Sequence, residues 1–254
     1  MSATPRLYVA PDLAEGMEFA VDSDQAHYLT RVMRLAPGAA VRVFNGRDGE
    51  FEARLASSTK STATLKAGAR MREQAPGADL WLLFAPLKKA RTDLVVEKAV
   101  ELGVSEIRPV LTERTDADTV RTDRLKRITI EAAEQTERLD VPDVLDAVKL
   151  DQALAGWDKD RLLIYADEAG DDAAKPWGGP AGRGRPLAEV AREAIGAKAA
   201  ILIGPEGGFN QTERARLRSL PYVKPITLGP RILRAETAAI AALALWQAIA
   251  GDAR

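Results

Sequence analysis

From Asp79 to the C-terminus short apolar runs alternate with helical stretches, with no internal sequence repeat. DLWLLFAPL, VSEIRPVLT, RLLIYADE, AAILIGPE and VKPITLGP read as strands. LVVEKAVELG, closed by Gly103, reads as the first helix, and others run from about Thr122 to Glu137 and from about Leu187, Thr212 and Ala235. Strands that are apolar throughout are covered on both faces, and strand–helix alternation implies a mostly parallel sheet. In such α/β sheets ligands gather just beyond the carboxyl ends of the strands.

Residues 1 to about 72 have another texture. VRVFNG, FEARLAS and STATLKAG are short β-type runs, and Asn45-Gly46-Arg47-Asp48-Gly49 has the composition of a hairpin turn. Their close spacing predicts a small β-barrel. One helix interrupts them from about Ser23 to Arg34, with Ser23 or Asp24 as cap and Pro37-Gly38 as terminator. The division expected is a domain at 1–72, a linker at 73–78 around Pro76-Gly77, and a second domain at 79–254. Ala169 to Pro186 is a Gly/Pro-rich stretch and reads as a surface insertion.

Composition removes several chemistries. The chain has no cysteine and one histidine, His27, which excludes disulfides, thiolate nucleophiles and the common Cys- or His-held metals. With 36 Lys+Arg against 37 Asp+Glu it is not a uniformly basic nucleic-acid coat, though local basic patches remain open. The opening MSATPRLYVAPDLAEG lacks a signal-peptide pattern. The longest apolar stretch, Thr237 to Ala250, is shorter than the roughly 20 residues of a membrane span. A soluble, cytoplasmic protein without metal or membrane partner is expected.

Two segments carry the chemistry. In Ile201 to Phe209 an apolar strand runs straight into Gly204-Pro205-Glu206-Gly207-Gly208, with Asn210 or Thr212 able to cap the next helix. Glycines there let backbone amides approach a ligand. No Gly-Lys-Ser/Thr follows and the G-x-G-x-x-G spacing is missing, so this is neither a nucleotide P-loop nor a dinucleotide fingerprint. Glu206 suits a cationic or zwitterionic ligand. In Ile226 to Ala238 a second strand leaves through Gly229-Pro230, and Arg231 and Arg234 flank an apolar pair before a helix. Arginines so placed suit a phosphate or a polarised carbonyl. Glu236 lies in that helix's first turn, where a carboxylate also suits the dipole.

GPEGGF followed by LGPRILRAETA resembles the C-terminal signature of the SPOUT methyltransferases, and within them the ribosomal RNA small-subunit methyltransferase E family. HYLTRVMRL (His27 to Leu35), KARTDLVVEKAVELGV (Lys89 to Val104) and EAAEQTERLDVPDV (Glu131 to Val144) extend the resemblance over almost the full length. Tyr28 departs from it, since many members carry a second His there. The resemblance implies a PUA-like N-terminal β-barrel that helps hold RNA and a C-terminal α/β domain with a deep trefoil knot at about 200–250. It implies S-adenosylmethionine held largely by main-chain groups at Ile203, Gly204, Glu206, Gly207, Leu228, Gly229, Ile232 and Leu233. The implied reaction is methylation of uridine N3 in 16S rRNA, by a homodimer formed through the knot and the C-terminal helix.

Uracil N3 is a poor nucleophile while protonated, so catalysis needs in-line placement plus proton removal or anion stabilisation. Arg234 is the candidate for the anion, and Glu206, Glu134, Glu236 or water for the proton. Glu134 and Arg138, four apart, are expected on one helix face. RNA contacts are expected from Arg31 and Arg34, three apart on the first helix, from Lys88, Lys89 and Arg91, and from Arg138. Arg121, Arg124, Lys126 and Arg127 form a further basic run. Three alternatives stand beside this reading: a SPOUT enzyme for another RNA position or a ribose 2′-OH, an inactive RNA-binding relative, and a nicotinamide enzyme on a plain Rossmann sheet. The missing glycine fingerprint disfavours the last.

Overall fold

The computed structural model describes residues 4–59, 61–116, 119–167 and 184–253. The chain forms two compact units, Met1–Pro76 with Ala133–Val141, and Gly77–Ala132 with Pro142–Arg254.

The first unit is a five-stranded sheet. Its strands are β1 (Arg6–Tyr8), β2 (Glu18–Ala20), β3 (Ala40–Phe44), β4 (Glu50–Ser58) and β5 (Ala63–Arg72), in the order β1-β3-β4-β5-β2. The Asn45–Gly49 turn joins β3 to β4 as an antiparallel hairpin, as its composition predicts. Asn45 organises that turn: its Oδ1 accepts from the amides of Arg47 and Asp48, at 3.0 and 2.9 Å. Alternate residues of the strands point inward, so Val41, Val43, Ala53, Leu55, Leu65 and Ala67 build the core with Leu7, Phe19 and Leu29.

The helix expected from Ser23 to Arg34 is shorter and changes pitch. α1 (Ser23–His27) is capped by Asp22, whose side chain accepts from the Gln25 amide, and it runs on as a π-helical turn over Tyr28–Val32. Arg34 then takes a left-handed conformation (φ 52°), and the Leu35 amide reaches back to the Leu29 carbonyl at 2.9 Å. That wide turn brings Leu35 onto the core that holds Leu29. Arg34 is therefore off the helix, and helical spacing does not align it with Arg31.

Ala133–Val141 belongs to this unit because Arg6 holds it. The Arg6 guanidinium is buried, lies 3.8 Å from the Phe44 ring centroid and pairs with the buried Glu50 carboxylate at 2.6 Å. Its remaining protons go to the carbonyls of Ala133 (2.8 Å), Glu134 and Arg138. A cation on the last carbonyls of a helix is favoured by both hydrogen bonding and the dipole. Glu137, at φ 60°, turns the chain, and Arg42 and Arg72 bind its carboxylate and carbonyl at 2.6 and 2.8 Å. A boundary placed in the linker alone therefore misses this returning segment.

The second unit has an all-parallel sheet. Its main elements are β6 (Leu80–Phe84), α2 (Lys89–Glu101), β7 (Glu106–Leu111), α3 (Thr122–Gln135), the two-residue strands β8 (Asp143–Val144) and β9 (Val148–Lys149), and α4 (Leu150–Leu154). β10 (Leu162–Ala166), β11 (Arg185–Pro186), α5 (Leu187–Glu193), β12 (Ala199–Ile203), α6 (Gln211–Ser219), β13 (Val223–Thr227) and α7 (Ala235–Ile249) follow. The strand order is β11-β13-β10-β12-β6-β7-β8, with β9 also on β7. Residues 168–183 of the Gly/Pro-rich stretch lie outside the described residues.

Burial explains why these strands read as apolar throughout: Leu82, Leu83, Leu163, Ile164, Ile201 and Leu202 are fully enclosed. α7 lays Ala239, Ala242, Leu243 and Trp246 inward and packs against α2, α5 and β12. Gly103 ends α2 at φ 78°, and Gln247 of α7 donates to the Leu102 carbonyl there at 2.6 Å. A Cβ at Gly103 would lie 2.4 Å from Gln247 Nε2, so glycine serves both the turn and this approach.

Candidate active site

β12 and β13 flank β10 and run parallel to it, with Tyr165 level with both Leu202 and Pro225. Their Gly-Pro exits thus leave the same edge of the sheet, two strand spacings or about 10 Å apart. Asp167 stands between them at the end of β10, where its amide donates to the Ile226 carbonyl at 3.1 Å.

At this edge lies a narrow cavity of about 30 Å³ lined by Ala166, Ile226, Leu228, Leu233 and Ala238, with Asp167, Thr227, Gly229 and Arg231 as its polar members. Gly229 has φ 114° with open space on its Cβ side, and Thr227 Oγ1 accepts from its amide and donates to its carbonyl, both at 3.2 Å. The Asp167 carboxylate is buried and held by two arginines of α6. Arg214 binds it at 3.0 and 3.1 Å and Arg218 at 2.6 and 3.0 Å. Burial, with the Asp167 charge second, pushes the neighbouring Tyr165 hydroxyl far above its ordinary pKa. That tyrosine is a packing residue and stays protonated.

The first glycine-rich loop is built differently. The Phe209 ring packs against Gly204 and stands edge-on to Tyr165, with centroids 5.1 Å apart. Gly208 (φ 67°) closes a turn by donating to the Pro205 carbonyl at 2.9 Å. Asn210 and Glu213 form a reciprocal capping box at the start of α6, and the same Glu213 carboxylate accepts from the Glu113 amide at 2.8 Å. Arg114 donates to the Gly207 carbonyl at 2.9 Å. The loop is thereby tied to the segment that leaves β7.

The expected cofactor residues fall into two groups. Leu228, Gly229 and Leu233 line the cavity beside Asp167. Glu206 and Gly207 line a neighbouring cavity with Lys88, Arg114 and Asp116. Ile203 is buried at the end of β12, Gly204 is half-buried, and Ile232 is exposed. Among the expected catalytic residues, Arg234 is exposed at the N-cap of α7. Glu236 lies in the first turn of that helix, and its Oε2 is buried with no hydrogen-bond partner among the described residues. Glu206 pairs with Arg91. Glu134 lies in the first unit, where its carboxylate accepts from the Tyr8 amide at 2.8 Å.

Arg138 does not share a helix face with Glu134, because α3 ends at Gln135 and the chain turns at Glu137. Its guanidinium is mostly buried and pairs with Asp140 at 2.7 Å. Lys88 and Lys89 are exposed at the start of α2, and Arg31 and Arg34 are exposed in the first unit. Sequence reasoning missed Asp167 and Arg114. Asp167 directly follows a strand, and the rule that ligands sit at strand ends points to it. No local signal marks Arg114.

A family model described as an RNA methyltransferase domain matches residues 73–247, and one described as an RNA methyltransferase PUA domain matches 21–67. The Rickettsia conorii protein named ribosomal RNA small subunit methyltransferase E is 32% identical over 240 residues, which is 94% of this chain and 93% of that protein. This chain belongs to the ribosomal RNA small subunit methyltransferase E family. A Synechocystis member is 31% identical over 249 residues, covering 96% of this chain and 77% of its own length. The methyltransferase E of Neisseria gonorrhoeae, crystallised bound to S-adenosyl methionine, superposes with a TM-score of 0.80 at 26% identity. The match covers 98% of this chain and 99% of that one.

Among the described residues, no helix is long and apolar enough to cross a membrane, and no group of three His, Cys, Asp or Glu side chains is placed to hold a metal ion.

Proposed function

We propose that this chain transfers a methyl group from S-adenosylmethionine to N3 of a uridine in 16S rRNA of the small ribosomal subunit. The observation that carries the reading is the meeting of two Gly-Pro exits at one sheet edge, beside the Asp167 cavity, in a chain alike over nearly its whole length to a protein crystallised with that cofactor.

The residues present suit the cofactor. The cavity's apolar walls, Ile226, Leu228 and Leu233, suit the edge of an adenine ring. The partnerless Glu236 oxygen is an acceptor suited to a cationic or amine-bearing ligand, since a buried acceptor left unmade costs about 1–3 kcal/mol. Ile203, Gly204, Glu206, Gly207 and Ile232 complete the binding set around these groups.

The bound sulfonium supplies an electrophilic methyl group, so the protein's work is placement and charge control. Arg234, exposed beside the cavity segment, stabilises the anion that develops on uracil O2 or O4. Glu236 is our choice of base for the N3 proton, because Glu206 is engaged by Arg91 and Glu134 by the Tyr8 amide. Asp167, fixed by Arg214 and Arg218, sets the cavity wall between the two exits.

Finer features belong to the same proposal. After β13 passes outside β10, the chain returns to lay α7 on α5, α2 and β12, a crossing that supports a deep trefoil knot over about 200–250. The five-stranded sheet of the first unit closes as a PUA-like barrel and helps hold RNA. Exposed Leu245 on α7 and Leu94 on α2 suit a homodimer through the knot face. The protein works in the cytoplasm, where Arg31, Arg34, Lys88 and Lys89 meet the rRNA.

The test is to incubate the protein with labelled S-adenosylmethionine and 30S subunits lacking the modification, then map the label by primer extension and mass spectrometry. Label on uridine N3 of 16S rRNA is expected. Label on a ribose or on another base overturns the reading.

A further inference from the structure

Two basic runs far apart in sequence meet at one place. Lys88 and Lys89 open α2, Arg121 and Arg124 open α3, and an open cavity of about 610 Å³ lies among them. We infer that this cavity is a nucleotide pocket, distinct from the one at Gly229, which takes one nucleotide of the RNA strand by its phosphate and a face of its base. The inference rests on the proposed RNA substrate and names where a neighbouring nucleotide sits.

The chemistry is divided as a nucleotide requires. Pro86, Leu87, Val120 and Leu125 give an apolar floor for a base, and Lys88, Lys89 and Arg121 give a cationic rim. Asp93 is matched by Arg124, which pairs with it, and Asp116 is the other carboxylate in the lining. Among the described residues, Lys88, Lys89, Arg121 and Arg124 against these two carboxylates leave the lining net positive by two. Lys88, Lys89 and Arg121 have no ion-pair partner among the described residues.

The placement of the cations runs against helix stability. α2 has no acidic residue in its first turn and no side-chain cap, yet it begins Lys88-Lys89 with Arg91 close behind. Positive side chains at the positive end of a helix are unfavourable. A phosphate bound there reverses the sign of that interaction. Pro86, Leu87, Lys88 and Asp116 also wall the neighbouring cavity that contains Glu206 and Gly207. A strand lying in the pocket therefore runs on to the Gly-Pro-Glu-Gly loop.

The experiment is binding of a fluorescent short oligouridylate to the full chain, read by anisotropy over a salt series. Lys89→Ala combined with Arg121→Ala should weaken binding about tenfold and lower the salt slope by about 0.7 per lost phosphate contact. Calorimetric S-adenosylmethionine binding should be unchanged in that variant. Lys159→Ala with Arg192→Ala, which removes equal charge from exposed positions elsewhere, should shift affinity less than twofold. Equal losses in the two double variants, or no loss in the first, overturn the pocket. Displacement of the oligouridylate by equimolar inorganic phosphate does so too, by marking a free-anion site. Because this readout involves no methyl transfer, failure of the N3 assignment in the 30S assay leaves the binding result unaffected.

Discussion

The ring of Phe209 stands where a side chain at Gly204 would have to go: a Cβ built on Gly204 would lie 2.5 Å from Phe209 Cε2. The two ends of the GPEGGF segment are thus packed on each other, and the loop between them is held by its own last residue. Gly204→Ala must expel the ring from its place against Tyr165, and overpacking of this kind costs about 1–3 kcal/mol. Thermal unfolding should show that loss, and S-adenosylmethionine affinity by calorimetry should fall with it. A stable variant with wild-type affinity would contradict this account.

Arg114 acts on the same loop from outside, through its bond to the Gly207 carbonyl. Arg114→Ala should raise the cofactor KM about 3- to 10-fold, in keeping with the net loss of about 0.7–1.4 kcal/mol for one solvent-exposed hydrogen bond. Arg114 is exposed, so unfolding midpoints should move little. Arg114→Lys should recover part of the KM effect.

Arg234→Ala should lower kcat by about 10²- to 10³-fold while cofactor affinity changes little, as expected when a stabiliser of developing charge is removed. Stopped-flow or steady-state kinetics beside calorimetry separates the two. Equal loss of both would make Arg234 a cofactor-binding residue.

Removing Arg6 takes the shortest pairing from a buried carboxylate. Arg6→Met leaves Glu50 only Arg72 at 3.5 Å and Arg42 at 4.0 Å, and should cost up to about 3 kcal/mol in urea unfolding. Adding Glu50→Gln should restore part of that, because the charge is then gone. No recovery would place the cost in the lost Ala133 and Glu134 carbonyl contacts.

The Asp48 carboxylate accepts from the Leu13 amide at 2.8 Å and from the Asn45 side chain at 2.6 Å, which hold its pKa below the ordinary value. A carboxylate with a depressed folded pKa contributes stability above its unfolded value, near pH 4, and that contribution is lost as pH falls toward the folded value. Asp48→Asn should flatten this acid limb in unfolding measured between about pH 5 and 2.

Strands buried on both faces were the most legible elements, because an unbroken apolar run between turn residues leaves little choice. Leu80–Phe84, Leu162–Ala166 and Ala199–Ile203 lie where their runs predict, as does α7 over Ala235–Ile249. The hairpin at Asn45–Gly49 was legible for a similar reason, since turn chemistry acts over a few residues. Features set by distant partners were not. The π-turn at Tyr28–Val32 follows from where Leu29 and Leu35 must pack, and the early end of α3 follows from Arg6, more than a hundred residues upstream. At the site, the glycines and Pro205 announced a special loop, but Phe209's hold on Gly204, Arg114's tie and the burial of Asp167 depend on contacts between elements.

The return of Ala133–Val141 to the first sheet has a practical consequence for dissection of the molecule. A fragment ending at Pro76 contains every strand of that sheet yet lacks the carbonyls that Arg6 grips, so it loses three hydrogen bonds of that guanidinium and the segment that covers it. Severing the chain in its linker would yield two incomplete pieces, and a shortened loop bridging Pro76 to Ala133 would release the first unit with its returning segment.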